Sequence, residues 1–363
     1  MSDAHCNESD ANTLSESFKN LILEKIWSRT ATCTFVVQAE QDISSLRKAF
    51  TSGKIDRKVD RPSAVDKDIC LDAVLEAMLA HAAGDNNDNE HTPRRYVACA
   101  IATAGQDENK FEQLINLANT WVRYLFWPFK ANKTDLHSAS TPTLDSEDER
   151  PRPLAFKEAV KERDGYRCVV TKIIDFDKAP PDSDEERTPV ETVHIFKRAV
   201  AAGKRTEKSS AEYATWDILR HFTALSEEQV AELDTNIDYV YNGLTMTLEL
   251  VSTFDTFQWS LRPDPDHPNR YHFEYFARGP LPVMRGRDIG VISFEGCPNE
   301  LQPSRKLIQF HYFLAKVLHA SGAGVVIESM LERFLEGGSK QVTMSADDLE
   351  LHLSTERMSL MSV

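Results

Sequence analysis

Apolar residues recur at helical spacing in several stretches of the first part of the chain. Positions three and four apart lie on one face of a helix. This spacing predicts helices over residues 15–29, 64–83 and 110–129. Ser15 or Ser17 is a candidate cap for the first helix, and Pro128 is expected to limit the third. Residues 1–130 are therefore predicted to form an all-helical N-terminal unit.

The rest of the chain mixes strand and helix signals, which predicts an α+β fold. An acidic stretch rich in Ser, Thr and Pro predicts a flexible linker over 131–152. A second domain is expected over 153–277, a strand and helix extension over 278–336, and a tail over 337–363. Strands are predicted over 167–171, 190–196, 257–261, 270–277 and 290–294. Helices are predicted over 155–163, 211–222, 226–233, 245–254, 307–320 and 325–335, with Gly322 as a C-cap.

Composition and charge narrow the function classes. The chain has 363 residues, of which 41% are hydrophobic and 27% charged, as in ordinary globular proteins. Its net charge of −15 disfavours nucleic acid as a partner, because phosphate binding usually needs a basic surface. No apolar run reaches the ~18–20 residues of a membrane helix, so no membrane partner is expected.

The cysteines and the N-terminus bear on the compartment. The six cysteines are scattered without a CxxC pair, which argues against a zinc ribbon and favours reduced thiols. The first residues are polar and acidic, unlike a signal peptide. We therefore expect a cytoplasmic or nuclear protein that is not secreted.

Three residues form the most informative pattern in the chain. His194 lies near the end of the apolar run 189–196, Asn242 stands in a Tyr-Asn-Gly sequence, and Asp255 follows thirteen residues later at the end of a predicted helix. Upstream, residues 163–171 read RDGYRCVVT. This ordered set resembles the HNH nuclease domain found in a large group of filamentous-fungal proteins.

The resemblance implies a ββα fold that holds one divalent metal over a phosphodiester. His194 would then be the base that activates water, and Asn242 would orient that base. Asp255 would be the metal ligand, because carboxylate oxygen suits Mg²⁺ or Mn²⁺. The resemblance covers roughly residues 153–335.

Two positions depart from the family pattern. Nine residues after Asn242 the family has a histidine, and this chain has Val251. The residue before the base histidine is a common ligand in HNH enzymes, and here it is Val193. Valine has no donor atom for a cation. The sequence therefore predicts either no cofactor or a weakly bound Mg²⁺ or Mn²⁺.

Each candidate residue also has a structural interpretation. A lone histidine such as His194 often serves packing, an Asn-Gly pair is common in turns, and Asp255 could cap a helix or pair with an arginine. Cys168 is typical of a small buried residue. The basic pairs at 197–198 and 204–205 could bind phosphate or form a solvated face.

Three functions are consistent with these residues. The first is a repurposed HNH scaffold in which His194 and Asn242 serve acid–base chemistry or binding of a small molecule, for example in biosynthesis. The second is a surviving metal-dependent endonuclease with Asp255 as the main ligand. The third is a non-catalytic interaction protein. The sequence does not specify an oligomeric state.

Overall fold

The structure, a computed structural model, describes residues 14–55, 69–84, 91–131, 154–197, 200, 210–223, 225–235, 237–279 and 281–336. Its helices are α1 (Glu16–Ile26), α2 (Thr32–Thr51), α3 (Leu71–His81), α4 (Pro93–Gln106), α5 (Lys110–Trp121), α6 (Trp127–Ala131), α7 (Leu154–Arg163), α8 (Ser210–Thr223), α9 (Glu227–Thr235), α10 (Leu248–Asp255), α11 (Arg305–Ala320) and α12 (Ala323–Glu336). Its strands are β1 (Ile174–Asp175), β2 (Arg187–Thr188), β3 (Val190–His194), β4 (Gly243–Thr247), β5 (Trp259–Pro263), β6 (Arg270–Tyr275) and β7 (Ile292–Ser293). The fold is thus a mixture of helices and small sheets, as an α+β class requires.

The described residues form two compact units. The first contains those of Met1–Ala131, Lys204–Ala224 and Val317–Val363, and the second those of Asn132–Gly203 and Leu225–Lys316. Helix α8 therefore packs with the first unit, although it follows β3 in the chain. The predicted tail over 337–363 lies outside the described residues. The predicted linker over 131–152 also lies outside them, except for Ala131.

The described secondary structure of the first unit is helical, in agreement with the prediction for the N-terminal part. Ser15 caps α1 by accepting a hydrogen bond from the Phe18 amide at 3.2 Å. The prediction omitted α2 and α4, which pack closely together. Helix α4 is buried along nearly its whole length although it carries polar residues such as Arg95 and Thr103, so its composition does not reveal its burial.

The predicted helix over 110–129 starts at Lys110 as predicted, but a change of helix type interrupts it and it continues past its predicted end. A π-helical segment, Val122–Phe126, separates α5 from α6, and α6 continues to Ala131. Pro128 lacks an amide hydrogen, and its ring would clash with the carbonyl of Tyr124 in a regular helix. The wider π turn relieves that clash and lets the helix pass through the proline.

A buried arginine holds the turn between α1 and α2. Arg95 of α4 is fully buried, and its guanidinium donates to the carbonyls of Lys25, Ile26, Ser28 and Thr30 at 2.8–3.1 Å. It also donates to the Thr32 hydroxyl at 3.0 Å. The planar fork of donors thus satisfies carbonyls at the end of α1 that have no helical partner.

Three small sheets lie in the second unit. Strands β1 and β2 are parallel, β3 and β4 form an antiparallel pair, and β5, β6 and β7 form an antiparallel sheet in that order. In the β3–β4 pair Val190 lies opposite Thr247 and His194 opposite Gly243. Helix α10 follows β4 directly and contacts both strands, which gives a ββα arrangement.

The predicted strand over 167–171 is wrong. Residues 168–172 form a turn closed by the Lys172 amide, which donates to the Cys168 carbonyl at 2.9 Å. Gly165, Tyr166 and Lys172 all have positive φ angles of 53–64°, which interrupt extended backbone. Arg167 makes only an isolated bridge to Ile174.

The predicted helix over 245–254 is also wrong at its start. Residues 243–247 form β4, and α10 begins at Leu248. Thr245 and Thr247 are β-branched and face a buried environment, where extended backbone is favoured. Asp255 is nevertheless the last residue of α10, as predicted.

Among the described helices, none is by itself long and apolar enough to cross a membrane. The bent pair Asn299–Ala320 and Ala323–Glu332 meets the criteria of length and composition only when taken together.

We expect Arg95→Lys to lower the free energy of unfolding by about 3 kcal/mol, because lysine cannot reach all of the carbonyls that the guanidinium binds. Chemical denaturation of the full chain measures this. Arg29→Lys is the matched control in the same turn, since Arg29 is exposed, and it should change stability by less than about 0.5 kcal/mol. Equal effects of the two changes would contradict the role of Arg95.

Candidate functional site

His194 is buried and held by a carboxylate. Its Nε2 lies 2.8 Å from Oδ1 of Asp238, and its ring stacks on Phe156 with centroids 4.5 Å apart. The side chain of His194 is 5% exposed and that of Asp238 is 13% exposed. An ionised carboxylate only accepts hydrogen bonds, so Nε2 carries the proton. In the neutral ring Nδ1 is then the proton-accepting atom.

Asn242 uses its whole amide to fix the backbone beside β3. Its Oδ1 accepts from the Phe196 amide at 2.8 Å, and its Nδ2 donates to the carbonyls of Phe196 and Ile237 at 3.2 and 3.1 Å. The residue is fully buried. The structure thus brings His194 and Asn242 to the same end of the β3–β4 pair, in which His194 lies opposite Gly243.

The alternative of a simple Asn-Gly turn is wrong for Gly243. This residue begins β4 with an extended φ of −119°, so its backbone conformation does not require glycine. A Cβ at this position would lie 2.5 Å from Cγ2 of Val160 and 3.0 Å from the Phe156 ring. Glycine is needed here because α7 packs directly against the strand.

An ion pair fixes α7 to β4. Arg163 and Asp164 make two parallel contacts of 2.8 Å, and both side chains are 1% exposed. Arg163 also donates to the carbonyls of Val240 and Gly243, while Asp164 accepts from the Thr245 amide at 2.9 Å. The Arg-Asp pair of the RDGYRCVVT string therefore has a structural role, which positions the start of β4.

Asp255 is buried at the end of α10. It is 4% exposed, and its Oδ2 has no hydrogen-bond partner in the described part of the protein. Its backbone carbonyl accepts from Nζ of Lys197 at 2.7 Å. Lys197 is itself 5% exposed. It therefore does not lie on a solvated face, and its amino group binds a buried carbonyl in place of a phosphate. The pair at 204–205 and Arg198 lie outside the described residues.

The donor set around Asp255 does not fit a metal ion. Val193 and Val251 are both fully buried and carry no donor atom. Val251 and Asp255 are four residues apart on α10 and share one face of that helix. Within the ranges that the structure describes, no group of three or more His, Cys, Asp or Glu side chains is arranged to hold a metal. Of the three positions expected to lie near a metal, only Asp255 thus carries a donor side chain.

A second histidine packs against the same helix. The ring of His311 stacks on Phe254 and Phe257 at centroid distances of 3.7 and 4.6 Å. Burial, followed by the charge of Lys197, lowers the pKa of His311 to about 3. The neutral ring donates from Nε2 to the Phe254 carbonyl and accepts at Nδ1 from the Ser260 hydroxyl. Ser260 is fully buried, so this pair is part of the core.

Two residues next to the candidate site, Asp238 and His311, were not predicted from the sequence, and Lys197 was named only as part of a basic pair. Asp238 lies four residues before Asn242 in the sequence. This spacing indicated that an acidic side chain lies near the loop. Nothing in the sequence indicated that it reaches His194 across 44 positions. Cys168 is fully buried and free, in agreement with its structural interpretation.

A cavity of about 310 Å³ lies elsewhere in the second unit. It is lined by Val170–Lys172 and Arg287–Ile292. His194, Asn242 and Asp255 do not line it, so it is not part of the candidate site.

Comparison with known proteins adds no family. No family model, no curated protein and no solved structure matches the chain.

We expect Asn242→Asp to lower the free energy of unfolding by about 3 kcal/mol at pH 7. The new carboxylate would face the carbonyls of Phe196 and Ile237, which the amide nitrogen now satisfies. Burial beside these oxygens favours the protonated acid, so the folded-state pKa of the new group is raised. The penalty should therefore be present at neutral pH and shrink as the pH falls.

Urea denaturation between pH 4 and pH 8 measures this effect. Asn299→Asp is the matched control, because Asn299 is exposed and should tolerate the change within about 0.5 kcal/mol. A loss for Asn242→Asp no larger than that of the control would contradict the structural role of the amide.

Proposed function

We propose that the second unit is an HNH-type ββα scaffold that has been repurposed. In this proposal His194 and Asp238 serve acid–base chemistry on a small molecule, or its binding, and Asn242 positions the loop. The observation that carries the proposal is the 2.8 Å contact between the His194 imidazole and the Asp238 carboxylate.

The chemistry of this pair supports the proposal. A carboxylate bound to one ring nitrogen fixes the tautomer and stabilises the imidazolium that forms when the other nitrogen takes a proton. Asp238 therefore acts as a positioning residue, and Nδ1 of His194 is the atom that exchanges the proton. Stacking on Phe156 fixes the plane of the ring.

The nuclease alternative is less well supported. It requires Asp255 to act as the main ligand, with buried valines at two positions where the resemblance calls for ligands. The net charge of −15 also disfavours a nucleic-acid partner. We therefore propose that Mg²⁺ or Mn²⁺ binds weakly if at all, and that a small molecule is the partner.

The burial of His194 favours a second candidate function. At 5% exposure, the ring is nearly as buried as His311, which is 3% exposed and lies in the core. A histidine that no ligand reaches would make the second unit a non-catalytic interaction module. The two candidates differ in whether a small reagent reaches His194 in the folded protein.

The compartment is part of the same proposal. The cysteines in the described ranges are all free, as expected for a protein of the cytoplasm or nucleus.

Modification by diethyl pyrocarbonate, a small reagent that acylates neutral imidazole, tests the acid–base role of His194. The acid–base proposal requires a small molecule to reach Nδ1 of His194, the nitrogen that does not bond Asp238, so we expect His194 of the folded chain to react faster than His311. Both nitrogens of His311 are bonded to buried groups. Peptide mass spectrometry after short exposures gives the two rates within one molecule.

His311 is the internal control for unfolding, since it should react only when the core opens. Asp238→Asn should change the rate at His194 and leave the rate at His311 unchanged. If His194 reacts as slowly as His311, the acid–base proposal is wrong and the interaction module is favoured.

A further inference from the structure

Two histidines meet in the first unit, outside the candidate site. Nε2 of His91 lies 3.1 Å from Nδ1 of His221. His91 lies two residues before α4, and His221 lies in the last turn of α8. The fold therefore brings together two ring nitrogens that are 130 positions apart in the chain. We call His91 and His221 the histidine pair.

Aromatic side chains fix the orientation of the histidine pair. The ring of His221 lies parallel to Tyr96, with centroids 4.1 Å apart and an angle of 5° between the planes. His91 contacts Trp27 edge to face at 5.8 Å. Trp27 is 72% exposed and His91 is exposed, whereas His221 is half-buried. One ring of the pair is thus held rigidly, and the other borders solvent.

The distance within the histidine pair matches two ligands of one cation. Imidazole nitrogens bound at about 2.05 Å lie about 2.9 Å apart at a right angle and about 3.4 Å apart at the tetrahedral angle. The observed 3.1 Å lies between these values. We propose that the histidine pair binds a divalent first-row transition metal, Cu²⁺, Ni²⁺ or Zn²⁺, with water completing the coordination.

The protonation of the histidine pair supports this site. Partial desolvation of its ring against neighbouring side chains, followed by the charge of Arg95, lowers the pKa of His91. Burial, followed by the charges of His91 and Arg220, lowers the pKa of His221 to about 3. Both rings are therefore neutral at pH 7, which is the form that binds a metal. One ring of the histidine pair donates the 3.1 Å hydrogen bond. When the metal binds, that ring carries its proton on its other nitrogen instead, so metal binding releases no net proton.

Charge and ligand number define the expected selectivity. Asp217 lies one turn before His221 on the same face of α8 and adds a negative charge, although it also pairs with Lys19 at 3.5 Å. With two imidazoles as its protein ligands, the site should prefer Cu²⁺ over Ni²⁺ and Zn²⁺. Mg²⁺ and Ca²⁺ should not bind there, because they require oxygen ligands.

Titration calorimetry of the full chain with Cu²⁺, Ni²⁺ and Zn²⁺, free of any affinity tag, tests the site. We expect one saturable site, and at least ~10-fold weaker binding in His91→Gln and in His221→Phe, since even an outer-shell change costs that much. Phenylalanine keeps the stack on Tyr96, so circular dichroism should show an intact fold. Cu²⁺ should also quench the fluorescence of Trp27 in the native chain and less in either variant.

His272→Gln is the matched control. His272 is a partly exposed histidine that pairs with Asp264 in the second unit, and its loss should leave metal binding unchanged. The absence of saturable binding, or binding that survives both changes in the histidine pair, would overturn the proposal. Binding that is lost in the His272→Gln control would also overturn it.

Discussion

The backbone of residues 242–247 is buried, and its polar groups require partners that water cannot supply. Four segments meet this requirement. Strand β3 pairs with β4, and the amide of Ile195 donates to the Asn242 carbonyl. Arg163 donates to the Gly243 carbonyl, and Asp164 accepts from the Thr245 amide. In the turn after α7, the amide of Val169 donates to the Thr245 carbonyl. The position of α10, and hence of Val251 and Asp255, depends on this set of hydrogen bonds, because α10 begins directly after β4.

These hydrogen bonds give polar residues of the candidate site a structural role, whereas the two other positions expected to bind metal are apolar. Arg163, Asp164 and Asn242 stabilise the backbone whether or not a metal is bound, so the fold itself requires them. Val193 and Val251 instead add apolar surface to the core, which stabilises the fold without any ligand. His194 is held by Asp238, which also needs no metal. The ββα arrangement is therefore held by hydrogen bonds and apolar packing that need no metal.

The parts of the fold that the sequence predicted well are amphipathic helices with clear caps, such as α1, and the short strand that carries His194. Other elements depend on tertiary contacts. Helix α4 is buried along nearly its whole length although it carries polar residues, and the π segment before Pro128 follows from a local clash within a packed helix. Strand β4 has helix-forming neighbours and is extended because it pairs with β3. At the candidate site, His194 and Asn242 were identifiable from their order in the chain, but Asp238 and the burial of Lys197 were not, because their partners lie 44 and 58 positions away.

We propose that Val193 and Val251 occupy the metal-binding positions of an HNH-type fold. The double variant Val193→His/Val251→His, made in a His91→Gln background, tests it by thermal denaturation with and without Ni²⁺. We expect Ni²⁺ to stabilise this variant by about 2.7 kcal/mol at 100 times the Kd, because the proposal places both new imidazoles at metal-binding positions near Asp255. Val193→His/Leu250→His is the matched control, since Leu250 is equally buried but lies on a different face of α10. An equal response to Ni²⁺ in both variants, or no folding of the first variant even with metal, would contradict the account.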